Sequence, residues 1–453
     1  MSIKPELFGT DGIRGVAGHP PLDRSTLLRI GRALGIFLEK TAPTRPVRVV
    51  LGEDTRESSA WISRTLAAGL RSSGTEVDYA GIITTPGLAF LSRHHGFAAG
   101  VVVSASHNPY QDNGIKVISN AGMKLAEPLE LEIEAILDRV NFLHSESLDA
   151  PLEPDPHLLS DYVEFLLGLV PAGDDFSKYR LVVDCANGAA SRVAPEVLKR
   201  LGIDARILSA QSNGRNINLG CGSLHPETMA DESKSFGADL GVAFDGDADR
   251  AIFATRQGRL ADGDHILFAA APHWQRQGSL QGRAVVGTLM TNLGLELTLA
   301  RQGIGLKRTA VGDKYVLEEM LRSGINLGGE PSGHIIFSDI SLAGDGIVTL
   351  LQVLRLLAES QQPFGELVQG LKQFPQIILN VRVKEKTPLD SLPAVARAIA
   401  DYRREFGEQG RVVVRYSGTE PLARVMVEGE DAEGVHRHAA KIAGAIESIL
   451  GVR

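Results

Sequence analysis

Three carboxylates at alternate positions, Asp245, Asp247 and Asp249, close on a guanidinium in the run Asp245-Gly246-Asp247-Ala248-Asp249-Arg250. Hard divalent cations such as magnesium are held by oxygen-rich loops of this kind. The spacing begins like a calcium EF-hand, yet position six is Arg250 where glycine is required and position twelve is Arg256 where a bidentate glutamate belongs, which excludes that motif. A compact loop after the strand-like run Leu240-Gly241-Val242-Ala243-Phe244 would converge the carboxylates on one Mg²⁺ ion and leave room for a phosphate oxygen; the alternative is a solvated acidic turn.

Far upstream, Ser104-Ala105-Ser106-His107-Asn108-Pro109 follows the apolar run Ala99-Gly100-Val101-Val102-Val103 and sets a hydroxyl beside an imidazole. Serine is a weak nucleophile until a base or an electrophile activates the reaction, and His107 and Lys116 are the nearby candidates. The surroundings do not match the Gly-x-Ser-x-Gly elbow of hydrolases, and a serine in a turn commonly does no more than bond the backbone. A nucleophile and a metal loop in one chain point to phosphoryl chemistry.

Two further loops extend the set. In Gly328-Gly329-Glu330-Pro331-Ser332-Gly333-His334 the side chains of Glu330, Ser332 and His334 suit sugar hydroxyls or proton relay. In Arg415-Tyr416-Ser417-Gly418-Thr419-Glu420-Pro421 one guanidinium, the hydroxyls of Ser417 and Thr419 and the amides of a glycine turn suit a phosphate dianion. Each of these loops alone is equally an ordinary turn.

Regular elements must carry these loops. Leu27, Ile30, Leu34 and Leu38 return on one helical face after the N-capping candidate Asp23, and the β-branched run Val47-Arg48-Val49-Val50-Leu51 then opens onto the polar loop Gly52-Glu53-Asp54-Thr55-Arg56. The same order returns where Tyr179–Asp184 opens onto Asn187-Gly188 and where Arg283–Gly287 opens onto Thr288. A spacing of roughly a hundred residues or more is too long for a solenoid and suits duplicated α/β units. The last stretch differs, with strands at Ile377–Val381, Val412–Arg415 and Ala423–Glu428 and a helical tail from Ala432 to Leu450. Proline clusters and turns place boundaries that divide the chain into 1–156 with the serine, 157–257 with the acidic loop, 258–370 with the Glu330 loop and 371–453 with the Arg415 loop.

Composition agrees with a soluble, multi-domain enzyme: 453 residues, 43% hydrophobic, 23% charged and 49 glycines. A net charge of −8 without a dense Lys/Arg block argues against nucleic-acid or anionic-membrane binding. Cys185 and Cys221 are too few and too isolated for a disulfide framework, so small buried thiols in a reducing cytoplasm are expected. The start lacks an apolar signal core, and no apolar run approaches the roughly 18 residues needed to cross a bilayer.

With Phe8-Gly9-Thr10-Asp11-Gly12-Ile13-Arg14-Gly15 near the N-terminus, the four loops stand in the order found in the α-D-phosphohexomutase superfamily, which the chain resembles from Phe8 to nearly its end. The runs Ile217-Asn218, Cys221-Gly222-Ser223, Val286–Met290, Arg308-Thr309 and Val311–Val316 are similar to its glucosamine-phosphate branch. The resemblance implies four domains around a central cleft, three similar α/β domains and a smaller C-terminal α+β domain. It further implies that Ser106 carries a phosphoryl group with Mg²⁺ held against it by Asp245, Asp247 and Asp249, and that glucosamine 6-phosphate and glucosamine 1-phosphate interconvert through a bound 1,6-bisphosphate. Arg415, Ser417 and Thr419 would grip the nonreacting phosphate while Glu330 and Ser332 contact the sugar. Lys116 is the implied proton carrier, with His107 and Arg14 shaping the site and His334 a further candidate. Arg250 would either offset charge on the transferring phosphoryl or pair with the acidic loop. A homodimer is also implied. Glu53 stands where relatives often carry a basic residue, and Pro331 where they carry Gln, Asn or Met; proline fixes φ and removes an amide donor from the sugar loop. A phosphomannomutase or phosphoglucomutase would share this chemistry, and a sugar-phosphate binding protein would keep the cleft without catalysis.

Overall fold

The computed structural model describes residues 7–9, 11–43, 45–140, 152–171, 173–417 and 421–452. Among the described residues the strands form four sheets. The first contains β1 (Ile13–Val16), β2 (Arg48–Glu53), β3 (Glu76–Ile82), β4 (Ala99–Val103) and β5 (Asp112–Ser119) in the order β1-β5-β4-β2-β3. The second contains β6 (Arg180–Asp184), β7 (Asp204–Leu208), β8 (Leu240–Phe244), β9 (Ala251–Ala254) and β10 (Leu260–Ala261) in the order β10-β9-β8-β6-β7. The third, β12-β11-β13-β14, uses β11 (Ala284–Thr288), β12 (Gly305–Thr309), β13 (Leu327–Gly329) and β14 (Ile335–Phe337). The fourth is antiparallel, β15-β17-β16, from β15 (Gln376–Arg382), β16 (Gly410–Tyr416) and β17 (Leu422–Gly429).

The three α/β units expected from the recurring strand-loop starts are present, and they share one wiring. The starting strand of each, β2, β6 or β11, pairs in parallel with the next strand on one side and with the third on the other. A further strand then runs antiparallel beside the third. The order therefore reverses beside the starting strand, and in open α/β sheets the crevice at the carboxyl ends next to such a reversal is where ligands sit. Residues 104–111, 245–250 and 330–334 each follow the third strand of their unit. The serine, acidic and Glu330 loops are thus one structural position used three times.

Packing follows from the same patterning. β4 and β8 are buried along their whole length, so they read as continuous apolar runs and not as alternating ones. Asp23 caps the helix Arg24–Thr41, accepting from the amides of Ser25 and Thr26, and Leu27, Ile30, Leu34 and Leu38 face the first core. The second and third units share one continuous core in which Phe244 and Phe253 meet Leu350, Leu354 and Phe364. The helix Pro156–Gly168 packs against all three units: Leu158 joins the first, Leu166 the shared core, and the Tyr162 hydroxyl donates to Asp345 at 2.7 Å. In the fourth unit the helix Ala432–Leu450 lays Val435, Ala439, Ile442, Ile446 and Leu450 on the sheet. Among the described residues no helix is long and apolar enough to cross a membrane.

The third and fourth units are joined by buried polar groups. Asn292 exchanges hydrogen bonds with Phe374, and the Glu428 carboxylate accepts from the Leu293 amide at 2.8 Å and from Arg411 at 2.7 and 3.0 Å. Asp264 accepts from the Asn292 amide at 2.8 Å, while burial and the neighbouring Asp262 push its carboxyl up to about 8. A carboxyl whose pKa is raised by folding contributes stability below its unfolded value, and that contribution is lost as pH rises through the folded one. Stability of the wild-type chain should therefore fall between about pH 4 and pH 8 from this group, and Asp264→Asn should flatten that part of the profile. Urea midpoints of both chains across this range test it; parallel profiles would remove Asp264 from the account.

Candidate active site

Ser106 stands at the carboxyl end of β4 in a left-handed backbone conformation, φ +53°, that a non-glycine residue adopts only when its surroundings enforce it. The enforcing group is Arg56, a guanidinium with no exposed side-chain surface. Its Nε donates to Asp54 at 2.8 Å, one terminal nitrogen donates to the carbonyls of Ser106 and Asn108 at 2.9 Å each, and the other donates to the carbonyls of Pro109 and Asp112. All five guanidinium donors are thereby used. Asp54 is held in turn by the hydroxyls of Ser59 and Ser104 at 2.9 and 2.7 Å, and the Ser104 hydroxyl accepts the Ser106 amide at 3.0 Å.

The second unit completes this loop. Asn218 donates from its side-chain amide to the Ser106 carbonyl at 2.9 Å. Gly246 comes so close that an added Cβ would lie 2.5 Å from the Ser106 carbonyl oxygen, which only glycine tolerates. The Ser106 hydroxyl donates to Asp245 Oδ2 at 2.6 Å and lies 3.2 Å from His107 Nδ1. Arg14 reaches the same loop, donating to Asn108 Oδ1 at 3.3 Å.

Asp245, Asp247 and Asp249 are all buried, and each places one carboxylate oxygen within 4.8 Å of the others. Asp247 Oδ2 accepts from the Thr85 hydroxyl and from Lys116 Nζ at 2.5 Å each, and Lys116 Nζ also lies 3.6 Å from Asp249. Asp247 Oδ1 and Asp249 Oδ1 are buried without a hydrogen-bond partner. Orphaned carboxylate oxygens beside a third acid are what a hard divalent cation would satisfy, so these residues fit a divalent metal site. Electrostatics sort the three. Burial and repulsion from Asp249 and Asp247 hold the Asp245 carboxyl well above its usual range. Burial also raises Asp249, but Lys116, His334 and Arg250 outweigh it and hold this carboxyl well below. Burial lowers His107, and Arg250 and Arg14 add to that, to about 4, so at neutral pH this imidazole is uncharged.

The third unit adds the sugar-loop candidates. Glu330 accepts the Gly312 amide at 3.0 Å, Ser332 Oγ and His334 Nε2 are buried without hydrogen-bond partners, and His334 Nδ1 lies 3.8 Å from Asp249. The turn is closed by the Glu330 amide to the His334 carbonyl and the Gly333 amide to the Glu330 carbonyl, so the donor that Pro331 lacks is not needed. Gly333, at φ +90°, seats this loop on the second unit, where a Cβ would lie 2.3 Å from the Ala251 carbonyl oxygen. Arg250 Nε is 3.8 Å from Asp249. Arg415 stands apart from the triad, lining with Leu289, Met290 and Val311 a cavity of about 430 Å³ between the third and fourth units. Ser417 is buried beside it, its carbonyl accepting from Lys386 at 2.8 Å, and Thr419 lies outside the described residues.

Comparison with known proteins agrees with this plan. Four models of the phosphoglucomutase/phosphomannomutase family match in order: alpha/beta/alpha domain I over residues 5–144, domain II over 160–258, domain III over 262–374 and the C-terminal domain over 378–445. Phosphoglucosamine mutase of Koribacter versatilis is 51% identical, covering 99% of this chain and 98% of its own, and that of Solibacter usitatus is 47% identical over 98% and 99%. The chain belongs to the phosphoglucosamine mutase family. Among solved structures, a phosphoglucomutase/phosphomannomutase family protein of Burkholderia thailandensis shares the fold at a TM-score of 0.79 and 24% identity, over 98% of this chain and 97% of that one. The N-acetylphosphoglucosamine mutase of Aspergillus fumigatus, in complex with GlcNAc-6P and magnesium, matches at 0.62 and 20% over 91% and 85%.

In this member of the phosphoglucosamine mutase family, the structure brings Ser106, His107, Lys116, Asp245, Asp247, Asp249 and His334 together and places Arg14, Arg250 and Glu330 around them. Arg56, Asp54 and Asn218, which the sequence shows in quoted runs without assigning them a role, and Thr85, which was not singled out, hold the two central loops. The signal for Arg56 was its place in a polar loop after β2, the same end of the sheet as Ser106. Arg56→Lys should lower kcat roughly a hundredfold, because one ammonium with three donors cannot replace a planar fork with five. Steady-state kinetics beside a melting curve check this; kcat within twofold of wild type would mean that Ser106 is positioned without it.

Proposed function

We propose that the chain is a phosphoglucosamine mutase that interconverts glucosamine 6-phosphate and glucosamine 1-phosphate by way of a phosphorylated Ser106. The observation that carries this reading is the 2.6 Å contact between the Ser106 hydroxyl and Asp245, which sets a hydroxyl able to accept and return a phosphoryl group against the acidic loop. Full-length similarity to phosphoglucosamine mutases supports the choice of sugar.

In the first half of the reaction the Ser106 Oγ–P bond breaks as the sugar O1 bonds to phosphorus; O1 gives up its proton and the departing Oγ takes one. The bound 1,6-bisphosphate turns over; its P–O6 bond then breaks as Ser106 Oγ, giving up its proton, bonds to phosphorus, and O6 takes a proton. Mg²⁺ held by Asp245, Asp247 and Asp249 would supply polarisation of the transferring phosphoryl oxygens. Arg250 and Arg14 are placed to offset charge developing there. Lys116 is the proposed proton carrier. Burial lowers its pKa while Asp247 and Asp249 raise it and win, so Nζ carries a proton that it can supply to the departing oxygen. His107, neutral and 3.2 Å from Oγ, orients the hydroxyl. Glu330, Ser332 and His334 offer hydrogen-bonding groups to the sugar, and Arg415, Ser417 and Thr419 grip the phosphate that is not reacting, so that one transfer centre serves both orientations. Two buried free thiols fit a reducing cytoplasm.

Ser106→Ala should fold, turn over no sugar phosphate and take up no label from a ³²P-labelled hexose bisphosphate. Full turnover in that variant would sink the phosphoserine route. Asp247→Asn should weaken activation by Mg²⁺ and lower kcat together, and an unchanged metal titration would take the acidic loop out of the mechanism. Glucosamine 6-phosphate, glucose 1-phosphate and mannose 1-phosphate assayed in parallel decide the sugar; equal or faster turnover of the latter two would overturn the glucosamine assignment.

A further inference from the structure

Lys124 lies just beyond β5 and outside the four site loops, yet it joins the first unit to the third. Its ammonium donates to Asp11 at 3.1 Å and to Asp313, 2.9 Å from one carboxylate oxygen and 2.8 Å from the other. Asp313 opens the helix Asp313–Ser323 of the third unit. Beside this pair the signs are crossed: Lys314 of the third unit reaches Glu127 of the first at 3.3 Å. Apolar packing does not fasten this contact, since a cavity of about 250 Å³ lies between Met123 and Leu125 on one side and Leu317, Leu321 and Ile336 on the other. The ion pairs hold the two units at this edge.

Both arms of the Lys124 pair end in the catalytic cluster. Asp11 lies 3.5 Å from the Arg14 guanidinium, which bonds Asn108 two residues from Ser106. On the other arm the Gly312 amide, next to Asp313, donates to Glu330, and Asp313 Oδ2 lies 3.7 Å from His334 Nε2. The hydrogen bonds of this ammonium go to carboxylates of different units, Asp11 of the first and Asp313 of the third, so its charge is committed to bridging them. We infer that Lys124 is a positioning residue: with Asp313 it sets the sugar-contacting loop of the third unit at its working distance from Ser106. This rests on the mutase reading above, in which a sugar must be registered against Ser106 in two orientations, and misplacement by about 1 Å can cost roughly a hundredfold in rate.

The experiment measures Kd for sugar phosphate by calorimetry, independent of turnover, on the full chain with Mg²⁺. Glucosamine 6-phosphate, glucose 1-phosphate and mannose 1-phosphate are titrated first, and the variants are compared on whichever binds wild type best, so an error in the sugar assignment leaves this comparison intact. Lys124→Met and Asp313→Asn should each weaken sugar-phosphate binding about tenfold while inorganic phosphate, which has no sugar to set against the Glu330 loop, binds as in wild type. Lys124→Arg should recover most of the loss. Should either core variant fail to fold, the outer pair gives the same reading: Lys314→Glu and Glu127→Lys each weaken sugar-phosphate binding, and the double reversal restores it. Unchanged sugar-phosphate affinity in folded variants, an equal loss for inorganic phosphate, or a double reversal no better than its singles would overturn the inference.

Discussion

Three carboxylates buried within reach of one another are the costliest arrangement in this molecule, and much of the tertiary structure is shaped by satisfying them. Removing an ion from water costs several kcal/mol even after relaxation, and like charges add to that. Among the described residues, no charged group of the second unit other than Arg250 pairs with its own acidic loop. The compensating groups come from elsewhere: Lys116 from β5, the Thr85 hydroxyl from the start of the helix Thr85–His94, and His334 from the third unit. Asp245 in turn accepts from Ser106. The charge cluster therefore draws the carboxyl ends of three sheets to one point.

The interlock is reciprocal. The first unit satisfies Asp247 through Thr85 and Lys116, while the second reaches back through Asn218 to the Ser106 carbonyl. The third joins at two backbone contacts, the Ala251 amide to the Gly333 carbonyl and the Gly346 amide to the Ala248 carbonyl. Arg56 fixes three carbonyls of the serine loop, and that of Asp112 at the start of β5, at once. A left-handed serine held this way loses little further entropy when it reacts, which is the physical content of preorganisation.

The fourth unit is attached differently. Its link to the third runs through Asn292, Glu428 and Arg411, and it lends Arg415 to a cavity between the two units and not to the charge cluster. This division suits a site that keeps the transferring group fixed and grips the far phosphate from a separate surface.

Much of this was legible in the chain. The helix capped by Asp23, the buried runs Ala99–Val103 and Leu240–Phe244, the repeated strand-loop starts and the distinct C-terminal unit depend on local periodicity and capping, and the structure has them where the residues put them. Ser106, the three aspartates and Glu330 stood out as candidates because each sits in a polar loop after an apolar strand, and Arg415 because it stands at the end of a strand just before a glycine turn. The roles of Arg56, Asp54, Asn218, Thr85 and Lys124 were not legible, because the contacts that tie them to the site reach partners between 50 and 189 positions away, some of them backbone carbonyls that carry no signature of residue type. The sequence alone thus determined which elements form and which chemical groups the loops offer, since those rest on neighbours in the chain. Only the tertiary structure decided which group faces which, because burying charge makes each one seek its counterpart wherever the folded chain brings it.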